Sequence, residues 1–90
     1  MLSTVIKSDG VFYNVEPRNY TDFQLDELKE YVGGYIEIIH LSSTQVMVVD
    51  EEGKIKNKPY NHNATLAVRM AGIKDVIVGD VLVCDISKIK

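Results

Sequence analysis

The sequence of 90 residues is poor in several residue types, with one cysteine, two prolines and no tryptophan. The single cysteine, Cys84, cannot form an internal disulfide or a cysteine-based zinc site, which favours a reducing compartment such as the cytoplasm. Lysine and arginine total 10 against 13 aspartate and glutamate residues, which gives a formal charge of −3. Because affinity for a phosphate backbone needs a basic surface, this balance excludes a general nucleic-acid-binding protein.

Long apolar runs are also missing. No stretch approaches the roughly 18 apolar residues that a membrane-spanning helix needs, and the first residues lack the charged segment and apolar core of a secretory signal. We therefore expect no membrane span and a cytoplasmic location. The 46% of hydrophobic and 26% of charged residues are typical of a folded globular domain rather than a disordered chain. The length predicts one domain over residues 1–90.

The first part of the chain predicts a β-hairpin followed by a helix. Two short β-prone runs, residues 3–7 and 11–16, flank an Asp-Gly dipeptide that favours a hairpin turn. Thr21 stands where a capping box would begin a helix, and apolar residues then recur at helical spacing. We therefore predict an amphipathic helix over residues 22–32.

The second part of the chain predicts further strands around a second helix. The helix is expected over residues 62–71, with Asn61 or Asn63 as its N-cap and Gly72 at its end. The β-branched and apolar runs predict five more strands, which are residues 35–40, 45–49, 54–56, 76–78 and 81–86. The order ββαβββαββ indicates an α+β domain with a mostly antiparallel sheet and two helices.

A row of polar residues on the second predicted helix is the most informative feature. Asn61, Thr65 and Arg69 follow one another at intervals of four residues, with His62 beside them, so they lie along one edge of the helix. An amide, a hydroxyl and a guanidinium near the first turns of a helix would suit a phosphate or carboxylate. The alternative is that these residues are only the solvated face of an amphipathic helix. The other positions are expected to be buried, namely Ala64, Leu66, Ala67, Val68, Met70, Ala71 and Ile73.

Nearby residues extend this candidate site. Lys54, Lys56 and Lys58 alternate, so a strand would place all three on one side as a positive rim. A charged edge strand that resists aggregation explains them equally well. Tyr35 and Tyr60 could offer flat faces on which a nucleobase stacks, although most aromatic residues of a small domain belong to its core.

Two glycines complete the candidate site, and no catalytic group stands out. Gly33 and Gly34 would let the backbone approach a ligand closely, but their role in ending the first helix is a simpler explanation. His40 and His62 lack the spacing of a zinc site, and Cys84 lies in an apolar run that favours a buried, inert thiol. We therefore predict no metal, no cofactor and no enzymatic activity.

Four blocks of the sequence resemble a small family of phage and bacterial proteins, the domain of unknown function DUF3846. They are residues 32–37 (VGGYIE), 49–54 (VDEEGK), 59–65 (PYNHNAT) and 77–83 (IVGDVLV). The blocks occur in the right order, and the resemblance covers about residues 25–84. It implies a phage or prophage protein that acts inside a bacterial cell, but it implies no particular activity.

Two functions follow as hypotheses. The first is sequestration of a phosphate-bearing, nucleotide-derived host immune signal, which would counter bacterial defence. Ligand pockets commonly measure about 300–1,000 Å³, and a short chain can rarely enclose so much space. We therefore expect a homo-oligomer with the site between its subunits.

The second hypothesis is a protein-interaction module that inhibits a host protein. Acidic residues at 50–52 and on the first predicted helix could attract a basic partner. A small phosphodiesterase that uses Glu37 or His62 ranks third.

Overall fold

The protein folds into a five-stranded antiparallel sheet with one helix on each face, in strand order β2-β1-β5-β4-β3. The computed structural model describes residues 3–89; residues 1, 2 and 90 of the predicted domain lie outside the described part. The elements are β1 (Ser3–Ile6), β2 (Phe12–Val15), α1 (Leu25–Val32), β3 (Ile36–His40), β4 (Gln45–Asp50), α2 (His62–Met70), β5 (Val81–Asp85) and a 3₁₀ turn (Ile86–Lys88). The predicted α+β class is confirmed. Over residues 3–89, no helix combines the length and apolar character that crossing a bilayer demands.

The central strands are buried on both faces. Along β4, Val46 and Val48 face α1, whereas Met47 and Val49 face α2. Each face therefore has its own apolar core, because successive side chains of a strand point to opposite sides. The last strand, β5, lies between β1 and β4 and joins the two hairpins into one sheet.

The first helix begins later than its sequence predicts. Its N-cap is Gln24 rather than Thr21, and the helix starts at Leu25. The reason lies in Asn19, whose side-chain oxygen accepts the N–H groups of Thr21 and Asp22 at 2.9 Å each. An asparagine that binds the backbone in this way holds the chain in a turn and competes with helix formation.

Two predicted strands do not form. Residues 51–57 make a continuous turn instead of including a strand at 54–56, with Lys56 N–H donating to the Glu52 carbonyl at 3.0 Å. The alternation of Lys54, Lys56 and Lys58 therefore does not place them on one face of a strand, and it does not protect a strand edge. The run 76–78 contributes only an isolated bridge between Tyr60 and Val78.

The second helix matches its predicted bounds within one residue, and the predicted stripe residues Ala64 and Val68 are buried. Asn61, not Asn63, is its N-cap, and Gly72 follows its end at a φ of 85°. The expectation that most of its circumference is buried is wrong, since Met70 is 89% exposed and Leu66 is also exposed. Of the residues expected at the solvated edge, Asn61 and Thr65 are buried, whereas His62 and Arg69 are exposed.

Candidate functional site

Asn61 is an internal residue whose polar atoms all have partners. Its Nδ2 donates to the carbonyl of Ile6 at 3.0 Å and to that of Gly79 at 2.8 Å, while its Oδ1 accepts the Ala64 N–H at 3.0 Å. Its side chain therefore caps α2 and joins the helix to β1 and to the segment before β5. Only 1% of the residue is exposed, so a ligand does not reach it.

Thr65 is buried to the same degree and binds the same segment. Its hydroxyl accepts the Ile77 N–H at 3.0 Å and donates to the Ile77 carbonyl at 3.4 Å. The Asn61 N–H also donates to that carbonyl, at 2.8 Å. The Asn61 bond belongs to the bridge between Tyr60 and Val78, whereas the Ile77 N–H binds the Thr65 hydroxyl instead of continuing that ladder.

The polar row is therefore divided between the interior and the surface. Arg69 lies in the last turn of α2 rather than near its first turns. Seven residues separate it from His62, a distance of roughly 10 Å along a helix. Arg69 is exposed, whereas Asn61 and Thr65 are buried. The four residues therefore do not form an anion site at the first turns of α2, as one prediction had it. They do not share a solvated face either, which was the alternative.

The aromatic candidates lie on the surface in different surroundings. The rings of Tyr60 and His62 have centroids 6.1 Å apart at the start of α2, and both residues are exposed. Tyr35 follows α1 and is also exposed, with the Lys29 ammonium 4.8 Å from the centre of its ring.

Three other candidates, Gly33, Gly34 and Lys56, meet around a buried carboxylate. The side chain of Asp50 is 1% exposed, and one of its oxygens lies 3.0 Å from Lys56 Nζ and 2.6 Å from Lys58 Nζ. Its other oxygen accepts the Glu52 N–H at 2.8 Å. We call Asp50, Lys56 and Lys58 the Asp50 clamp.

The Asp50 clamp fastens the end of α1 to the sheet. Lys58 Nζ donates to the Val32 carbonyl at 2.6 Å, and Lys56 Nζ lies 3.5 Å from the Gly33 carbonyl. Cations are favourable at the carbonyl end of a helix because they complement its dipole. Gly33 has a φ of 80° and ends α1 as predicted. These contacts give the glycines and Lys56 a structural role.

The carboxyl group of Asp50 stays ionised at neutral pH because of the groups around it. Burial alone raises the pKa of Asp50, but hydrogen bonds from Lys58, Lys56 and the Glu52 N–H outweigh it and lower the pKa to about 2. The acidic surface expected at 50–52 is smaller as a result. The first helix loses part of its expected acidic face too, because Glu27 is buried and accepts the Arg18 N–H at 2.9 Å.

The strongest candidate site is an open cleft of about 610 Å³ beside the end of α2, which we call the cationic cleft. Its walls carry three basic side chains and one acidic one. Lys54 is paired with Asp75 at 2.7 Å, which lowers the pKa of that carboxyl. Among residues 3–89, neither Arg69 nor Lys74 has an ion-pair partner. The lining consists of Lys54, Arg69, Gly72, Ile73, Lys74, Asp75 and Val76.

The cationic cleft combines two kinds of surface. Arg69 and Lys74 offer charged donors that suit a phosphate or carboxylate, while Ile73 and Val76 offer apolar contact. Sequence reasoning identified Arg69 and Lys54 as basic candidates but missed Lys74 and Asp75. The only available signal was two adjacent charged residues shortly after Gly72, and they lie in an irregular segment that has no periodicity to interpret.

Groups for metal or thiol chemistry are not assembled in the described part of the chain. Residues 3–89 contain no cluster of three or more histidine, cysteine, aspartate or glutamate side chains suited to a metal ion. Cys84 is buried against α1, and this burial raises the pKa of its thiol to about 11. A thiol of that kind is protonated at neutral pH and is a poor nucleophile.

Fold and cleft together define a small α+β domain with two apolar cores and a cation-lined surface cleft. The family model described as "Domain of unknown function (DUF3846)" matches residues 4–89, and the chain belongs to this family. The match also takes in the first hairpin, beyond the blocks on which the resemblance rests. No curated protein and no solved structure matches the chain.

Proposed function

We propose that this protein binds and sequesters a phosphate-bearing small molecule in the cationic cleft and leaves it chemically unchanged. The observation that carries the proposal is the pair of basic side chains, Arg69 and Lys74, that line the cleft without an ion pair to any described residue. Lys54 adds a third positive charge, which it shares with Asp75. Unpaired guanidinium and ammonium groups are well suited to phosphate oxygens.

The ligand class we propose is a nucleotide-derived molecule, and the mixed lining of the cleft supports it. A volume of about 610 Å³ lies within the range of small-molecule sites. Ile73 and Val76 would contact the flat apolar face of a base, while Arg69 and Lys74 bind the phosphate. This arrangement is found in one copy of the chain, so the volume of the ligand does not by itself require a site between subunits.

The biological role we propose is interception of a host immune signal in the bacterial cytoplasm. A phage or prophage origin, which the sequence resemblance implies, makes such signals relevant ligands. Binding alone is sufficient for this role, because a signal held by an abundant small protein does not reach its receptor. The absence of catalysis is therefore part of the proposal.

Calorimetric titration tests the binding. The purified protein is titrated with inorganic phosphate, AMP, a cyclic dinucleotide and cyclic ADP-ribose. We expect heat with at least one nucleotide, and a loss of affinity of about 10- to 100-fold in Arg69→Gln and Lys74→Gln. Lys7→Gln is the matched control, since it removes the same charge outside the cleft lining. No heat with any of the four probes, or unchanged affinity in Arg69→Gln, contradicts the proposal.

A chromatographic assay tests the claim that the ligand is unchanged. The nucleotide that binds is incubated with the protein, released by denaturation and compared with a sample that was never exposed to protein. Quantitative recovery is expected. Cleavage products that increase with protein concentration would identify an enzyme instead.

The alternative function is inhibition of a host protein by surface contact. It is favoured by Glu51 and Glu52, which are exposed at the turn after β4, and by Asp26 and Glu30 of α1, which share the single positive charge of Arg18 and so keep a net negative charge. Such residues can steer a basic partner toward the surface. If this function is correct, a protein retained from host lysate by the wild type is lost with Asp26→Lys combined with Glu30→Lys.

A further inference from the structure

Three consecutive large apolar residues are exposed at the start of β2. Val11, Phe12 and Tyr13 are 53%, 68% and 45% exposed. A run of this kind on the surface is unfavourable unless something covers it. It lies outside the cationic cleft, so it calls for an explanation of its own.

The same residues form an unprotected sheet edge. β2 is a terminal strand, and its four residues, FYNV, carry no charge. Proteins usually protect such an edge with charged residues, proline or a bulge. The opposite edge, β3, does carry such a residue, namely Glu37, which is exposed. β2 is therefore the edge that is open to another strand.

Its backbone has donors and acceptors ready for that strand. The Lys7 N–H donates to the Val11 carbonyl at 2.8 Å, which makes these two residues a hydrogen-bonded pair. Bonding alternates along an antiparallel ladder, so Tyr13 also faces β1, whereas Phe12 and Asn14 direct their N–H and C=O groups outward. No described backbone group pairs with them on that side.

An apolar surface continues from this edge across the sheet. Phe12 is paired with Ile6, which places both on the α2 side. Next to Ile6, a groove of about 500 Å³ separates α2 from the sheet, and Met70 stands almost fully exposed on its rim. The groove is lined by Thr4, Ile6, Leu41, Gln45, Ala67, Met70, Ala71 and Val83.

We infer that a second copy of this chain pairs with β2 in antiparallel fashion about a two-fold axis, so that two five-stranded sheets become one. Pairing this strand with itself places no like charges opposite each other, and each copy gives and receives the same bonds. Four-residue strands alone bury less than the roughly 1,200 Å² of a stable interface. In the dimer we infer, the two Phe12 side chains lie on the same, α2-facing side of the joined sheet, and they and the adjoining apolar surface have to provide the remaining area.

Sedimentation velocity over a range of protein concentrations tests this dimer. The wild type should sediment with the mass of two chains. Phe12→Lys places a charge on the edge, and Asn14→Pro removes an outward donor without breaking the ladder to β1; each should weaken dimerisation at least about tenfold. The matched control is Ile55→Lys, since Ile55 is 80% exposed and lies in the turn after β4.

Several outcomes overturn the inference. The first is a wild type that stays monomeric at about 1 mM, far above the Kd of a stable interface. The second is a dimer that persists in both edge variants. The third is an Ile55→Lys control that dissociates as readily as Phe12→Lys. Circular dichroism verifies that the variants are folded. Hydrogen exchange gives a second reading in the wild type, because the amides of Phe12 and Asn14 should exchange more slowly as concentration rises, while that of Tyr13 should change little. Phosphate or nucleotide titration is a separate measurement, so failure of the dimer leaves the ligand proposal standing.

Discussion

The hydroxyl of Thr65 binds both backbone groups of Ile77, accepting its N–H at 3.0 Å and donating to its carbonyl at 3.4 Å. A side chain of α2 thus provides hydrogen bonds to the backbone of buried Ile77 that a neighbouring strand would otherwise provide. The relationship has direct consequences for stability, and it assigns a structural role to a residue that the sequence presents as a candidate ligand contact.

Thr65→Val should destabilise the protein by about 1–3 kcal/mol, because a buried backbone N–H loses its partner while the size of the side chain is kept. The measurement is the free energy of unfolding in urea. Thr21→Val is the control, since Thr21 is exposed and surface changes are usually within about 0.5 kcal/mol. Equal stability in the two variants would show that the Thr65–Ile77 bonds contribute nothing.

Asp50→Asn should cost about 2–3 kcal/mol, because Lys56 and Lys58, whose side chains are 40% and 21% exposed, lose the buried carboxylate that pairs with them. Chemical denaturation at pH 7 measures the effect. Asp26→Asn, a change of the same chemistry on the exposed face of α1, should have little effect. A loss below about 1 kcal/mol in Asp50→Asn, within the range of exposed ion pairs, would mean that the clamp behaves as a surface pair.

The same carboxylate should make stability depend on pH in acid. The pKa of Asp50 is lowered in the folded state from 3.8 to about 2, so the folded form holds the charged carboxylate more strongly than the unfolded chain does. Its contribution, about 2 kcal/mol, is complete above the unfolded pKa and is lost as the pH falls from about 4 to about 2. The difference in unfolding free energy between wild type and Asp50→Asn should shrink across that window. A difference that stays constant would refute the linkage.

Gly34→Ala should be destabilising for steric reasons alone. A Cβ at this position would lie 2.9 and 3.0 Å from the Asp50 carboxylate oxygens and 2.5 Å from Lys56 Nζ. Separating these groups should cost about 1–3 kcal/mol. Gly10→Ala is an informative comparison, because Gly10 has open space around it and a φ of 96°, so it measures only backbone strain, about 1–2 kcal/mol. Thermal and urea unfolding give both values. If Lys56 is replaced by Met, the penalty at Gly34 should fall.

Asp75→Asn should strengthen binding in the cationic cleft, in contrast to the loss expected for Arg69→Gln. The change removes the one acidic side chain of the lining and releases Lys54 from its ion pair. Because that pair is partly exposed and screened, the expected gain is modest, about threefold to tenfold in affinity for AMP or another nucleotide that binds. Calorimetry at low and high salt measures it, and the gain should shrink as salt rises. Weaker binding in Asp75→Asn would assign Asp75 a direct contact with the ligand.

Much of the fold could be predicted because its signals are local. The Asp9-Gly10 turn, the amphipathic pattern of α1 and the glycines after both helices each reflect the preferences of a few neighbouring residues. The prediction from local signals fails at Thr21, because the Asn19 side chain accepts the backbone N–H groups of Thr21 and Asp22. Two capping signals so close together cannot be ranked from the sequence alone.

The site was harder to predict because polar residues do not reveal their partners. The spacing of Asn61 and Thr65 correctly indicated one edge of a helix, but not that the edge faces the backbone of Ile77. Lys56 and Lys58 alternate like strand residues, yet a buried carboxylate draws both inward. In each case a residue outside the local pattern decides the outcome, 6 residues away for Lys56 and 12 residues away for Thr65.

The position of β5 between β1 and β4 has a consequence for how the chain reaches its fold. The two hairpins contact each other through a strand that comes after all the others, so neither apolar core closes until residues 81–85 are in place. Until then a growing chain holds two half-sheets with open edges, and contacts between distant parts of the sequence make their union slow. A chain that stops before Val81 lacks residues of both apolar cores, so we expect it not to reach this fold.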